Sequence, residues 1–171
     1  PRDGLGGESM NRASVDQVPL LDERQGLRIL TDALGTTDVA INHYDLSPGD
    51  RIGGYHAHHD QEEVFYVLSG TLSFATPAGD VELGPDEAIR FARGEFHTAY
   101  NDGDAPVAAL ALGAPPASEA IESVRECPAC GDRFHHHRAS FATRGIGPDD
   151  SARQVDCPEC GAATRRIGRP D

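Results

Sequence analysis

The stretch HAHHDQEEVFYVLSG, residues 56–70, decides both the fold and the candidate chemistry of this chain. Its second half is rich in valine and aromatic residues, which favours a β-strand. His56 and His58 are two residues apart, so on a strand both imidazoles point to the same face. Glu63 follows His58 by five residues, and an unbroken strand would turn its carboxylate to the opposite face. We therefore expect a turn or bulge at His59-Asp-Gln61.

Short β-like segments continue on both sides of this stretch and are separated by turn signals. Ser47-Pro-Gly-Asp50, Pro77-Ala-Gly-Asp80 and Asn101-Asp-Gly-Asp104 each contain the Gly, Pro, Asp or Asn residues that turns require. Strands at intervals of about 8–12 residues, without a long helical pattern, are typical of an all-β sandwich or barrel. Residues 11–36 read as a lead-in with one short helix or strand. Further strands are predicted near 38–44, 71–76, 81–83, 88–92, 96–100 and 107–112.

A third histidine completes a candidate metal site. His97 lies 34 residues after Glu63, just beyond the turn signal at Gly94. A single histidine on a strand is more often a hydrogen-bonded or surface residue, and it is the His-x-His pair that favours a metal. Three histidines and one carboxylate suit a divalent ion such as Mn, Fe, Co, Ni or Zn. In an octahedral site they would leave two positions for water or a small polar substrate.

These motifs resemble those of the cupins. The run from His56 to Gly70 is similar to the first cupin motif, and Gly94-Glu-Phe-His97-Thr-Ala-Tyr-Asn101 is similar to the end of the second. The resemblance covers roughly residues 38–112. It implies a jelly-roll barrel, also called a double-stranded β-helix, of two antiparallel sheets. By the same resemblance, the metal ligands are His56, His58, Glu63 and His97.

The neighbours of these residues carry further expectations. The first cupin motif usually opens with a glycine where this chain has Asp50, and the second usually has a proline where this chain has Ala92. Neither departure involves a predicted ligand. By strand alternation, Phe65 and Val67 share the face of Glu63 and should line the interior. Glu62 should face away, as a solvated carboxylate or one that supports the site.

All four cysteines lie in the last third of the chain. Cys127-Pro-Ala-Cys130-Gly131 and Cys157-Pro-Glu-Cys160-Gly161 are near copies of one another. In each, proline restricts the backbone, two thiolates can converge on one ion, and glycine permits the tight turn that follows. Two such pairs make a tetrahedral four-thiolate zinc site and resemble a zinc ribbon. The alternative is two disulfides, which an intracellular chain disfavours.

Composition divides the chain into parts. Residues 1–120 carry 20 acidic residues and 7 Arg, whereas residues 121–171 carry 8 of each. Gly113-Ala-Pro-Pro-Ala-Ser118 lies where the composition changes and reads as a linker. Residues 1–9 precede the only methionine and read as an upstream extension or a cloning remnant. We predict a barrel over 10–113, a linker over 114–124 and a zinc ribbon over 125–171.

The remaining features bear on partners and function. His135-His-His137 reads as a tag-like run, an accessory metal patch or, as we favour, a solvated loop. Arg165, Arg166 and Arg169 make the tail end basic, but the charge of the barrel repels a phosphate backbone, so nucleic acid is not an expected partner. Two classes of function stay open. The chain is either a metalloenzyme acting on a small polar molecule, such as an oxygenase or isomerase, or a sensing module that docks a protein partner through the ribbon. The resemblance also implies a homodimer.

Charge and hydropathy indicate the compartment. The chain has 28 acidic residues against 15 arginines and no lysine, and its formal net charge is −13. No run approaches the roughly 20 apolar residues of a membrane helix, and the start has no apolar signal-peptide core. We therefore expect a cytoplasmic protein without a membrane. We interpret the acidic excess as halophilic, although an arginine-rich protein from a GC-rich genome would look similar.

The halophilic interpretation predicts a dependence of stability on salt. At about 1 M salt the Debye length falls to roughly 3 Å, which screens the repulsion between the acidic residues. The urea midpoint of unfolding should therefore rise steeply between dilute buffer and molar potassium chloride. A protein that is already fully stable in dilute buffer would contradict this interpretation.

Overall fold

The computed structural model of the chain describes residues 10–23, 25–138 and 155–166. The predicted extension at 1–9 and the tail residue Arg169 lie outside these ranges. Within them, no helix has the length and apolar character needed to cross a membrane. The strands are β1 Leu20–Asp22, β2 Leu27–Ile29, β3 Ala40–Leu46, β4 Arg51–His58, β5 Glu62–Ser69, β6 Leu72–Thr76, β7 Gly79–Leu83, β8 Ala88–Phe91, β9 His97–Tyr100, β10 Val107–Ala114, β11 Ile121–Glu126, β12 Arg133–Arg138 and β13 Arg165–Arg166. The helical elements are α1 Leu30–Leu34 and a 3₁₀ turn at Val15–Gln17.

The strands form two antiparallel sheets. The first sheet has the order β1-β2-β3-β10-β5-β8, and the second has the order β12-β11-β4-β9-β6-β7, with β13 paired to β11. Consecutive strands β4 and β5 lie in different sheets, so the chain crosses between the sheets at residues 59–61. This crossing is the predicted turn. It explains how an odd sequence spacing still brings Glu63 to face His56 and His58.

The core fills the space between the two sheets. Phe65 and Val67 of β5 are 1% and 0% exposed, as strand alternation predicts, and Phe74 of β6 is 0% exposed. The ring of Phe65 packs edge-on against Phe74, with centroids 5.1 Å apart, and Phe74 lies 5.5 Å from Phe91. Each such burial contributes roughly 1.5–3 kcal/mol. The aromatic cluster therefore holds the two sheets together directly beside the predicted metal ligands.

Strand β11 crosses the predicted boundary between linker and ribbon. Its residues Ile121 to Ser123 pair with β4, whereas Arg125 and Glu126 pair with β13. The same strand therefore extends the barrel sheet and holds the tail. The solvated loop predicted at 135–137 is wrong, because these residues lie in β12 and pair along β11. Three consecutive histidines give no apolar–polar alternation, so pattern reasoning missed this strand.

Candidate metal centres

Four side chains from both sheets converge inside the barrel. His56 and His58 come from β4 and His97 from β9, all in the second sheet, and Glu63 comes from β5 in the first. The Nε2 atoms of His56 and His58 are 3.1 Å apart. Nε2 of His97 lies 3.1 Å from Oε2 of Glu63, and Nε2 of His58 lies 3.7 Å from the same oxygen. His56, His58 and Glu63 therefore offer donor atoms within 4.8 Å of one another, and His97 contacts this group through Glu63.

A bulge in β4 sets the alignment of the histidines. Ile52 lies opposite Ala99 and His56 lies opposite His97, so β4 carries two more residues than β9 between these pairs. Gly53 has a φ of +66°, a conformation that residues with a Cβ rarely adopt. The bulge thus places the imidazoles of His56 and His97 directly across from one another.

Hydrogen bonds fix which nitrogen of each ring is available. Nδ1 of His56 donates to the carbonyl of Gly54 at 2.7 Å, and Nδ1 of His97 donates to the carbonyl of Glu95 at 3.1 Å. These bonds leave the Nε2 lone pairs facing the centre of the site. The ring of His97 is also stacked on Phe91, with centroids 3.9 Å apart and planes 8° from parallel. The rings of His56 and His97 are therefore oriented before any ligand binds.

The electrostatics keep the donors in their ligating forms. Burial, together with the neighbouring His97 and His58, lowers the pKa of His56 to about 3, so this imidazole is neutral at neutral pH. Burial alone would raise the pKa of Glu63. The contact with His97 and the charges of the surrounding histidines outweigh it and lower that pKa to about 2. A neutral imidazole and an ionised carboxylate are the forms that bind metal ions.

The separations of the donor atoms of His56, His58 and Glu63 fit a single cation. With bonds of about 2.1 Å, neighbouring ligand atoms in an octahedral site lie about 3.0 Å apart, close to the contacts observed. The donor set is that of a divalent transition metal. The residues present therefore fit the metal expected from the sequence.

The turn between His58 and Glu63 is held by residues 114–124, the segment predicted to be a linker. The carboxylate of Asp60 accepts hydrogen bonds from the Ser118 hydroxyl and the Glu119 amide, both at 2.6 Å. Gln61 donates from its side-chain amide to the carbonyl of Pro115 at 2.6 Å. These contacts anchor the chain between His58 and Glu63, so the segment supports the site rather than serving as a loose tether.

The hairpin β11–β12 contacts His59 and Phe96, which are the chain neighbours of the donors His58 and His97. Glu122 accepts a hydrogen bond from Nε2 of His59 at 2.6 Å and also pairs with Nδ1 of His135. His135 packs edge-on against Phe96, which precedes His97. Glu122 was missed by sequence reasoning, because only the pairing of β11 with β4 brings it to His59. Glu62, in contrast, is exposed and pairs with Arg90, as predicted for a carboxylate facing away.

The four cysteines form a second cluster in the tail. Sγ of Cys127 lies 3.5 Å from Sγ of Cys160, and Sγ of Cys130 lies 3.7 Å from the sulfurs of both Cys157 and Cys160. A disulfide requires about 2.05 Å, so none is formed. A tetrahedral zinc with bonds of about 2.3 Å places its sulfurs about 3.8 Å apart. The cluster therefore fits a small zinc module.

The two cysteine motifs have matching backbones. The amide of Gly131 donates to the carbonyl of Cys127 at 2.8 Å, and the amide of Gly161 donates to that of Cys157 at 2.9 Å. Both glycines have positive φ angles, +76° and +72°. The backbone amide of Cys130 lowers the pKa of the Cys127 thiol to about 7. At Cys130 the backbone amide of Asp132 acts in the same direction, but the neighbouring thiols, Cys127 first, outweigh it and raise the pKa of Cys130 to about 12. A thiol that ionises near neutral pH is ready to bind a metal.

Comparison with known proteins gives one family match. The Cupin_2 family model, described as a cupin domain, matches residues 42–113. Germin-like protein 3-7 of Oryza sativa subsp. japonica is 34% identical over 85 residues, which cover 47% of this chain and 36% of that protein. The tetracenomycin polyketide synthase protein TcmJ of Streptomyces glaucescens is 30% identical over 74 residues, which cover 43% of this chain and 49% of that protein. The chain thus spans less than half the length of each relative.

Solved structures share the architecture. A sugar phosphate isomerase of the cupin superfamily from Silicibacter pomeroyi superposes with a TM-score of 0.57 at 20% identity, covering 74% of this chain and 92% of that one. A cupin protein from Bacteroides fragilis gives a TM-score of 0.54 at 21% identity, covering 64% of this chain and 86% of that one. Identities this low show the shared fold, and the jelly-roll prediction is confirmed at that level.

The geometry predicts two metals per chain, of which one depends on His97. Elemental analysis of protein made without added metal should give about two equivalents for the wild type and one for His97→Ala, because this substitution removes one of four barrel donors. His59→Ala is the matched control. His59 is a neighbouring histidine that faces Glu122 instead of the donor cluster, and this variant should keep both metals. Unchanged metal content in His97→Ala would contradict the barrel site.

The sulfur separations predict how the thiols react. In non-reducing buffer without chelator, a thiol reagent should modify the four cysteines slowly, because zinc-bound thiolates are protected. Adding a strong chelator should release zinc and make all four react within minutes. Two disulfides would give the opposite pattern, with reaction appearing only after a reductant is added and no zinc released.

Proposed function

Because the cupin domain model matches residues 42–113, we propose that this chain is a metal-dependent cupin that acts on a small polar molecule. One divalent ion would be held by His56, His58, Glu63 and His97, with two open octahedral positions for the ligand. The observation that supports this proposal is that donor atoms of His56, His58 and Glu63, from two sheets, lie within 4.8 Å of one another, with His97 in contact with Glu63 at 3.1 Å. A cluster of inward-facing histidines around a carboxylate gives the fold no comparable stabilisation by itself.

The residues of the site determine what can bind. A bound divalent ion would supply Lewis-acid chemistry, or redox chemistry if it is iron or manganese. Glu63 contributes the single negative charge among the four donors, so the occupied site keeps a net positive charge. It would attract an anionic or electron-rich oxygen. The stacked Phe91 ring and the buried Phe65 exclude water from one side of His97. We propose oxygenase or isomerase activity within this class.

The tail is proposed to hold one structural zinc through Cys127, Cys130, Cys157 and Cys160. An alternative function follows from β11. Ser123 lies opposite His56 in the barrel, whereas Arg125 of the same strand donates to the hydroxyl and the carbonyl of Thr164, between the second cysteine motif and β13. Binding or loss of the barrel metal would therefore affect the tail through a single strand, β11. In that case the chain would be a sensing module that docks a protein partner through the ribbon.

The remaining expectations are kept as proposals. Free cysteine thiols suit the reducing conditions of a cytoplasm, where we place the protein. Arg165 is paired with Glu126 at 2.9 Å, which leaves less charge for a nucleic acid. A homodimer and adaptation to high salt are proposed on the resemblance and the composition alone.

Cobalt substitution tests the proposed function. Co(II) bound by three imidazoles and a carboxylate absorbs in the visible range, and a small ligand entering an open position should shift its bands. Glu63→Gln should weaken Co(II) binding at least 10-fold, since it removes the one charged donor. Glu62→Gln is the matched control, because Glu62 is exposed and pairs with Arg90. Equal Co(II) affinity in both variants would contradict the site.

The same metal-loaded preparations distinguish the proposed enzyme from the alternative sensing module. Iron-loaded protein that consumes dioxygen, or metal-loaded protein that converts a hydroxy ketone, supports the enzyme. If neither reaction is seen, hydrogen exchange of β11 and β12 with and without barrel metal decides the alternative. Slower exchange in the metal-loaded protein, at constant zinc content, would support the sensing module, and unchanged exchange would count against it.

A further inference from the structure

Three side chains meet on the outer face of the second sheet. Glu122 of β11 lies opposite Ala57 in the register with β4, and Ala57 alternates with the two inward-facing histidines of that strand. The Glu122 side chain therefore points away from the barrel interior. Its Oε2 atom accepts a hydrogen bond from Nε2 of His59 at 2.6 Å, and its Oε1 atom accepts one from Nδ1 of His135. This group, the junction cluster, contains none of the proposed ligands of the barrel or the tail.

Backbone pairing brings the three residues together from distant parts of the chain. The amide of His59 donates to the carbonyl of Ala120 at 2.8 Å, so the pairing with β11 continues one residue beyond the end of β4. On the other side of β11, His135 pairs with Val124, which makes His135 a diagonal neighbour of Glu122. Side chains at such diagonal positions are within reach of one another. The junction cluster thus joins the turn after β4 to the tail hairpin.

The carboxylate of the junction cluster is shielded, whereas its two imidazoles are accessible. The side chain of Glu122 is 14% exposed, and those of His59 and His135 are 43% and 56% exposed. The His135 ring packs edge-on against Phe96, with centroids 5.6 Å apart, which limits the directions in which it turns. An ion can therefore reach, from solvent, a carboxylate whose position is set by the fold.

The donor types of the junction cluster suit a divalent transition ion. Imidazole nitrogens and carboxylate oxygens are ligands that Zn(II) and its neighbours in the series take from proteins. Each imidazole bonds to a different carboxylate oxygen, so an ion would replace the shared protons and draw both exposed rings to one side of the carboxylate. Ordering two exposed side chains costs entropy. Such an ion is therefore held less tightly than one bound by the four donors of the barrel or of the cysteine cluster.

Charge favours a cation over an anion at this position. Residues 1–120 carry 20 acidic residues and 7 arginines, so the barrel attracts cations to its surface. An anion placed against the two imidazoles would also lie beside the carboxylate of Glu122 and be repelled by it. The junction cluster is therefore suited to a metal ion and not to a phosphate or a carboxylate ligand.

We propose that His59, Glu122 and His135 bind a divalent transition ion in a third metal site, accessible to solvent, which fastens the tail hairpin to the turn that follows His58. The ion would exchange readily, so protein made without added metal would lose it and would still contain only two equivalents. The donors lie on the opposite face of β4 from the barrel site. The third site therefore goes beyond the proposed function and does not depend on the barrel metal.

Calorimetric titration with Zn(II) tests the third site. The protein is saturated with Zn(II), desalted so that only tightly bound ions stay, and titrated with Zn(II) again. The wild type should bind one further equivalent. Glu122→Gln and His135→Ala should each weaken this binding at least about 10-fold, because even the loss of a group that only supports a metal ligand costs about 10–100-fold in affinity. His136→Ala removes a histidine from the opposite face of β12, so it is the matched control and should bind as the wild type does.

Chemical modification of the wild type gives a second measurement that does not depend on the folding of a variant. Diethyl pyrocarbonate should modify His59 and His135 in the desalted protein, and Zn(II) at the concentrations of the titration should protect both, as read by mass spectrometry of the peptides. The absence of a further equivalent, or equal Zn(II) affinity in the wild type, Glu122→Gln and His135→Ala, would overturn the third site. So would histidines that Zn(II) leaves unprotected, since hydrogen bonds alone would then account for the junction cluster.

Discussion

The central constraint on this molecule is that one carboxylate and three imidazoles must meet although they belong to opposite sheets. Glu63 approaches from the first sheet, and His56, His58 and His97 approach from the second. The contacts of Glu63 with His97 at 3.1 Å and with His58 at 3.7 Å cross between the sheets and tolerate little relative movement. The aromatic cluster of the core supplies the rigidity. Interlocked rings beside the site fix both the separation of the sheets and the orientation of the His97 ring.

The loops around the site also hold the ligand-bearing strands in position. Gly94 donates its amide to the carbonyl of His58 at 2.8 Å, which ties the turn before His97 to the end of β4. The turn from His59 to Gln61 is held by hydrogen bonds with Pro115, Ser118 and Glu119, in the segment that follows β10. A Cβ on Gly113 would come within 2.6 Å of the Gln61 amide nitrogen, so only glycine lets this side chain cross β10. Each ligand-bearing strand end is therefore anchored by main-chain contacts from a different part of the chain.

Much of this arrangement could be predicted from the sequence, because it depends on local patterns. Strand alternation and turn residues marked most barrel strands, and the spacing of His56, His58 and Glu63 required the crossing at 59–61. The role of the segment after β10 could not be predicted in this way. Its two prolines signal a chain break, whereas the contacts of Pro115 and Ser118 with the turn depend on folding of the whole barrel.

The boundary between barrel and tail shows why composition is a weak guide to domain structure. The acidic excess ends near residue 120, yet β11 begins at Ile121 and pairs with β4 before it pairs with β13. The charge of surface residues reflects their contact with solvent, and it does not determine which strands pair through their backbones. Without β11, β4 would be an edge strand with unpaired amides beside two of the metal donors. Strand β11 is therefore better understood as a wall of the candidate metal site than as part of a linker, since the strand that covers His56 also leads into Cys127.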